Sequence, residues 1–170
     1  MPKTEEKNSD REQLIRDLNE DLSREYQAII AYVIYSQVLK GAEYMDIAGQ
    51  LEQHAAQELK HALIISQQID YLGGMPTADP KPVLRSEDNK EMLQADLRNE
   101  TDTIRNYRKR VRQCESMGEF AMAELIRGIL VNEQDHQIDL ATALGIDVPK
   151  VDDSAETDAA QEKSAKAHSR

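Results

Sequence analysis

The sequence predicts an all-α fold, a four-helix bundle with one long crossover between its second and third helices. Three observations carry this reading. Apolar residues recur at steps of three and four through four long segments, no strand-like alternation is sustained, and the segments are divided by Gly41, "GGMPTADPKP" at 73–82 and "MG" at 117–118. The first and last breaks are short and predict antiparallel hairpins. The middle one, over residues 73–87, is about 15 residues long and reaches ~50 Å at roughly 3.3 Å per residue. A helix of about 27 residues is only ~40 Å long at about 1.5 Å per residue, so this Pro-rich segment can return along it and set helices two and three parallel.

Each helix follows from its own stripe. In the first, Leu18, Leu22, Glu25, Ile29, Tyr32 and Ser36 share a face, and the additional apolar residues Ile30, Val33 and Ile34 point to a subunit contact. The second carries Leu51, His54, Glu58, His61, Ile65 and Leu72; the third, Leu93, Leu97, Glu100, Ile104, Tyr107, Val111 and Cys114; the fourth, Met122, Ile126, Ile129, Glu133, His136 and Leu140. Residues 1–10 are polar and expected to form a flexible N-terminus, with the bundle over 11–145. Residues 146–170, rich in Asp, Glu, Ser, Ala and Lys, have too little apolar content to pack and are expected to be a disordered tail, so His168 receives no site role.

The chain of 170 residues suits one domain without staples. A formal charge of −11 argues against tracking nucleic-acid phosphates or an anionic membrane surface, and suits a protein that attracts cations. With a single cysteine, no signal peptide and no apolar run of spanning length, a cytoplasmic setting is expected.

Polar residues at core positions on all four helices are the anomaly: Glu25; Glu58 and His61; Glu100; Glu133 and His136. Counted from the turns, Glu25, Glu58 and Glu133 each lie about 15 residues from theirs and Glu100 about 17, so the four glutamates meet at one level of an antiparallel bundle. The same count is met whichever way helices two and three run relative to one another, and only the linker's length and composition favour the crossover. Converging carboxylates cost several kcal/mol per unpaired ion. No Lys or Arg stands at core positions near this level, so two divalent cations are the simplest counter-charge. Glu58/His61 and Glu133/His136 each place an oxygen and a nitrogen donor on neighbouring turns of one face. One Glu from each of two helices and Glu-x-x-His from each of the others is the donor set of di-iron and di-manganese carboxylate bundles. Oxygen and imidazole without thiolate suits iron or manganese, with zinc an alternative.

From "LNEDLSREYQAIIAY" through "EQHAAQELKHA" and "DLRNETDTI" to "VNEQDHQIDL", over about residues 10–145, the chain resembles the bacterioferritin and ferritin-like family. The resemblance implies a ferritin-like antiparallel bundle. By position Glu25 and Glu100 resemble the family's ligands on the first and third helices, Glu58 and Glu133 its bridging glutamates, and His61 and His136 its imidazole ligands. It further implies ferroxidase activity: two iron ions per subunit, Fe(II) oxidised by dioxygen or hydrogen peroxide, and ferric mineral stored inside a homo-oligomeric shell. Relatives that bind haem between subunits use a methionine directly after the second-helix bridging glutamate. That position is Leu59 here, so no haem is expected. The family's short fifth helix has no counterpart in the polar tail, which leaves shell size open.

Carboxylate-bridged metal pairs also support peroxide reduction of the rubrerythrin-like or manganese-catalase-like kind, although no CxxC pairs supply a rubredoxin-type module. A Dps-like shell shares its ligands across a subunit interface and lacks two Glu-x-x-His pairs within one bundle. A non-enzymatic bundle with structural metal is the remaining alternative. Tyr32 matches a tyrosine near the centre in many bacterioferritins, where the resemblance implies an electron donor or hydrogen-bond partner, whereas packing accounts for Tyr32 and Tyr107 alike. His54 reads as a satisfied core or pore histidine or as a guide for incoming iron. Asp135 and Asp139 read as imidazole-orienting acceptors or as a solvated face, and Cys114 as a small buried hydrophobe.

Overall fold

The computed structural model describes residues 2–152, with side chains from Asn8 onward. Four helices account for the described secondary structure together with one 3₁₀ turn at Ala42–Tyr44: α1 (Pro2–Val38), α2 (Met45–Tyr71), α3 (Asn89–Met117) and α4 (Phe120–Leu144). The first helix begins inside the stretch expected to be loose. Pro2 suits the first helical position, where its missing N–H would be unpaired anyway, and neither Gly nor Pro interrupts the chain from there to Val38. Residues 8–13 are exposed, so local propensity rather than packing extends this end.

Where α3 starts, Asp88 caps it, its carboxylate accepting from the backbone N–H of Lys90 at 2.8 Å and of Glu91 at 3.1 Å. Gly118 closes α3 and Gly145 closes α4 in the left-handed conformation, at φ 81° and 66°, a geometry costly for any residue with a Cβ.

Contacts between helices settle the topology. Tyr32 of α1 meets Glu100 of α3 while Tyr107 of α3 meets Glu25 of α1, so these two helices are antiparallel. His61 reaches Asn132 and His136 reaches Gln57, so α2 and α4 are antiparallel too. With α1 also antiparallel to its hairpin partner α2, α2 and α3 run parallel. The crossover does this by climbing α1. Thr77 N–H donates to Asn19 Oδ1 at 2.6 Å, Lys81 N–H to the Ser23 carbonyl at 3.0 Å, Gln27 Nε2 to the Pro82 carbonyl at 2.5 Å and Tyr35 Oη to the Leu84 carbonyl at 2.5 Å. These contacts satisfy linker backbone groups that would otherwise be left without partners.

The core divides into two apolar plugs with a polar layer between them. One is built from Leu14, Leu18, Leu22, Ile65, Ile69, Cys114, Met122 and Ile126, the other from Tyr35, Tyr44, Ile47, Leu51, Met92, Leu93, Leu97 and Leu140. Close to the layer on the first side, Arg110 is buried against α1, donating through Nε to Asp21 Oδ2 at 2.7 Å and lying 3.0 Å from Asp17 Oδ2 through a terminal nitrogen. After α4 the chain does not leave the bundle at once. Gln137 donates to the Pro149 carbonyl, Arg108 to that of Val151 and Arg105 to that of Asp152, at 3.3, 3.3 and 2.7 Å, so the first residues of the expected tail lie against α3 and α4. The rest of that tail, His168 included, lies outside the described residues.

Candidate metal centre

All six predicted donors meet in the polar layer, and none is more than 3% exposed. They form two overlapping groups: Glu25, Glu58, His61 and Glu133; and Glu58, Glu100, Glu133 and His136, the donor atoms of each group lying within 4.8 Å of one another. Glu58 and Glu133 belong to both. The helical register explains this: α2 and α4 contribute a glutamate and, three residues on, a histidine, while α1 and α3 contribute one glutamate each at the same height.

The protein's own groups leave this cluster unsatisfied. Glu25 Oε2, Glu58 Oε1, Glu100 Oε2, both oxygens of Glu133 and His136 Nδ1 are buried without hydrogen-bond partners. His136 donates through Nε2 to Gln57 Oε1 at 2.7 Å, so in the neutral ring Nδ1 carries a lone pair, and this nitrogen lies 2.8 Å from Glu58 Oε1. His61 donates through Nε2 to Asn132 Oδ1 at 3.2 Å, and its Nδ1 lies 3.0 Å from both Glu58 Oε2 and Glu133 Oε1 and 3.4 Å from Glu25 Oε2. Lone pairs converging at this spacing are what a cation relieves, and the residues fit a pair of divalent ions.

Electrostatics agree. Burial, reinforced by Glu133 and Glu25, pushes the Glu58 carboxyl well up, and burial with Glu133 and Glu58 does the same to Glu100. Burial works against charge on His61 and against the Glu133 carboxylate. It is outweighed by the facing carboxylates, which raise the imidazole, and by His136 and His61, which lower the Glu133 carboxyl. Without added cations, the cluster must therefore hold protons to lower its charge.

Two hydroxyls complete the layer. Tyr32 donates to Glu100 Oε1 and Tyr107 to Glu25 Oε1, so the two tyrosines, weighed unequally from the sequence, occupy equivalent places. Burial followed by these carboxylates raises both phenols well above the usual range. The acceptors that hold the imidazoles are Gln57 and Asn132. Asp139 instead accepts from His54 Nε2 at 3.1 Å, and Asp135 is exposed. The signal for Gln57 and Asn132 was present: each is an amide residue directly before a core glutamate, in "QELKH" and "NEQDH". Asp21 and Asp96, both buried, were also missed, although each stands four residues before a core glutamate in the repeated pattern "DL..E...I..Y".

His54 is buried, and its ring stacks on His136 with centroids 4.0 Å apart. Burial, with His136 next, lowers its pKa to about 4. Arg110 is the buried cation nearest this level that the sequence stripes did not reveal, but Asp21 and Asp17 occupy it and leave the glutamates uncompensated.

Among solved structures, one from Bacillus anthracis described as a ferritin-like, diiron-carboxylate protein superposes with a TM-score of 0.76 at 32% identity, covering 79% of this chain and 97% of that one. The bacterioferritin of Brucella melitensis is 27% identical over 139 residues, 78% of this chain and 86% of the relative. That of Mycobacterium tuberculosis is also 27% identical, over 78% of this chain and 87% of the relative. A family model for the ferritin-like domain matches residues 15–147, and the chain therefore belongs to the ferritin-like family.

Proposed function

We propose that this protein is a ferroxidase that binds two Fe(II) ions within each bundle, oxidises them with dioxygen or hydrogen peroxide, and stores ferric mineral in a homo-oligomeric shell. The observation that carries the reading is the pair of overlapping donor groups sharing Glu58 and Glu133. These two glutamates would bridge the ions. Glu25 and His61 would hold one ion, Glu100 and His136 the other. Four carboxylates offset four positive charges, and a bridged pair lets each Fe(II) give up one electron to a common oxidant, so that dioxygen with two protons leaves as peroxide, or peroxide with two protons as water.

The chain's own part is positional. Gln57 and Asn132 hold Nδ1 of each imidazole toward the ions, and Tyr32 and Tyr107 fix the outer glutamates. The apolar plugs on either side limit water in the layer. The similarity to bacterioferritins and to a diiron-carboxylate protein supports iron as the metal, with manganese and zinc the competing occupants. Leu59, where the haem-binding relatives carry methionine, supports a haem-free protein. Both Leu59 and Leu63 are exposed on α2, at 53% and 64%, and with Val33 they supply apolar surface for subunit packing. Among the described residues, no helix is long and apolar enough to cross a membrane. A reducing cytoplasmic setting suits the lone buried Cys114.

Anaerobic Fe(II) titration followed by oxygen pulses tests the function. About two irons should bind per chain and oxidise on the first pulse, as in other di-iron bundles. Failure to bind them, or unchanged oxidation in Glu58→Ala, would sink the reading. Native mass with iron content per chain tests storage: a large loaded shell supports it. A small assembly with rapid peroxide turnover and no mineral would favour the peroxide-reducing alternative.

A further inference from the structure

The two histidines of the centre each lie beside an opening on the α2–α4 side of the bundle, and the two openings differ in charge. Next to His61 a cleft of about 430 Å³ is lined by Lys60, Ile64, Glu124, Leu125 and Asn132 among others, one cation against one anion. Next to His136 a cleft of about 300 Å³ is lined by Gln50, Gln53, His54, Asp135 and Asp139, with acidic side chains and no cationic one.

At the inner wall of the acidic cleft stands His54. It is only 3% exposed, its Nε2 faces Asp139 Oδ2 at 3.1 Å, and its Nδ1 is buried without a partner. The Asp139 side chain is 39% exposed, so the pair spans from solvent to the ring that stacks on His136.

We propose that His54 and Asp139 form a third cation site, a transit site that takes a divalent ion such as Fe(II) from solvent and delivers it to the centre past His136. This rests on the two-ion reading of the centre. An imidazole nitrogen and a carboxylate oxygen are the donor types that borderline divalent ions accept. A separation of 3.1 Å lets both ligate one ion at bond lengths of about 2.1 Å. The proton displaced from Nε2 has a place to go, because the unpartnered Nδ1 of the same ring can take it. Two protein donors completed by water hold an ion weakly, as transit requires. Asp135, one turn before Asp139, adds attraction without being needed as a ligand.

The full-length apo protein should be titrated anaerobically with Co(II), followed by calorimetry and visible absorbance. The wild type is expected to take about two ions tightly, as the paired centre requires, and one more weakly. Asp139→Asn should lose only the weak ion, and Asp139→Glu should regain it. In stopped-flow loading with Fe(II) at low salt, Asp139→Asn should fill the centre about tenfold more slowly with unchanged final occupancy. His54→Ala should likewise lose the weak ion, although its ring also supports His136. A third Co(II) bound equally by wild type and Asp139→Asn, or equal loading rates, overturns the proposal. A wild type that binds the weak ion without the two tight ones would sink the two-ion reading while supporting this site.

Discussion

The His61 half and the His136 half of the centre have the same donors and different surroundings. Each has an outer glutamate held by a tyrosine from the neighbouring helix, a histidine held by an amide, and a share of Glu58 and Glu133. One turn before the outer glutamates the halves part. Asp21, before Glu25, is paired with Arg110, whereas Asp96, before Glu100, has an oxygen with no hydrogen-bond partner. Tyr35 occupies the place equivalent to Arg110 in the repeated pattern, and its hydroxyl bonds to the crossover at Leu84. Burial pushes both aspartates up. At Asp21 the Arg110 guanidinium pulls the other way, and at Asp96 nothing does. Duplicated donors set what the site can hold, while the unduplicated shell around them gives each half its own stability and access.

The strongest way to break the comparison is to remove what the halves share. Glu133→Ala should abolish binding of both irons and reduce oxidation to background, whereas Glu25→Ala or Glu100→Ala should each leave one ion bound. Iron per chain after anaerobic titration distinguishes these outcomes, and loss of a single ion in Glu133→Ala would contradict the bridging assignment.

Next in size is the unequal pair of aspartates. Arg110→Ala strands Asp21 in the core and should cost about 3–5 kcal/mol in chemical denaturation of the apo protein. Asp96→Asn should cost nothing and gain stability at neutral pH. The sign follows from linkage: because the folded-state pKa of Asp96 is raised, folded protein holds a proton that unfolded protein releases, and stability falls as pH rises above the unfolded carboxyl range. Asp96→Asn should flatten that fall between about pH 4 and 7. An equal loss of stability in both variants would mean that the two positions are equivalent after all.

The smallest effects should sharpen the contrast at the imidazoles. Gln57→Leu frees the ring of His136, and Asn132→Leu that of His61. Each should weaken one ion by about 10–100-fold and leave its neighbour nearly unchanged. Co(II) spectra resolve the two positions, and equal weakening of both ions in either variant would show that the amides act through the bundle rather than through one ring.

Much of this was legible from spacing. The four stripes, the breaks at Gly41, 73–82 and 117–118, and the equal depth of Glu25, Glu58, Glu100 and Glu133 are properties of one helix or one turn at a time, and they brought all six donors into one layer. At the N-terminus α1 begins at Pro2, within the polar stretch, where neither Gly nor Pro interrupts the chain before Val38. For Asp135 and Asp139 the two readings, imidazole acceptor or solvated face, divide between the residues, because proximity along α4 does not say which way a side chain meets α2: Asp135 is exposed and Asp139 accepts from an imidazole. Asp139 faces His54, while the less conspicuous amides Gln57 and Asn132 reach the rings of His136 and His61.

By itself the sequence determined the four helices, the breaks between them and the height at which the acids and histidines converge, because helical period and distance to a turn are local quantities. The depth of the glutamates is the same whichever way α2 and α3 run; the linker's length favoured the parallel arrangement, and the tertiary structure supplied the contacts of 75–84 along α1 that hold it. It also decided which aspartate is paired and which histidine opens on the acidic cleft. Those outcomes depend on how far each helix is rotated and shifted against its neighbours. Displacements of an ångström or two exchange one hydrogen-bond partner for another without altering the spacing along the chain.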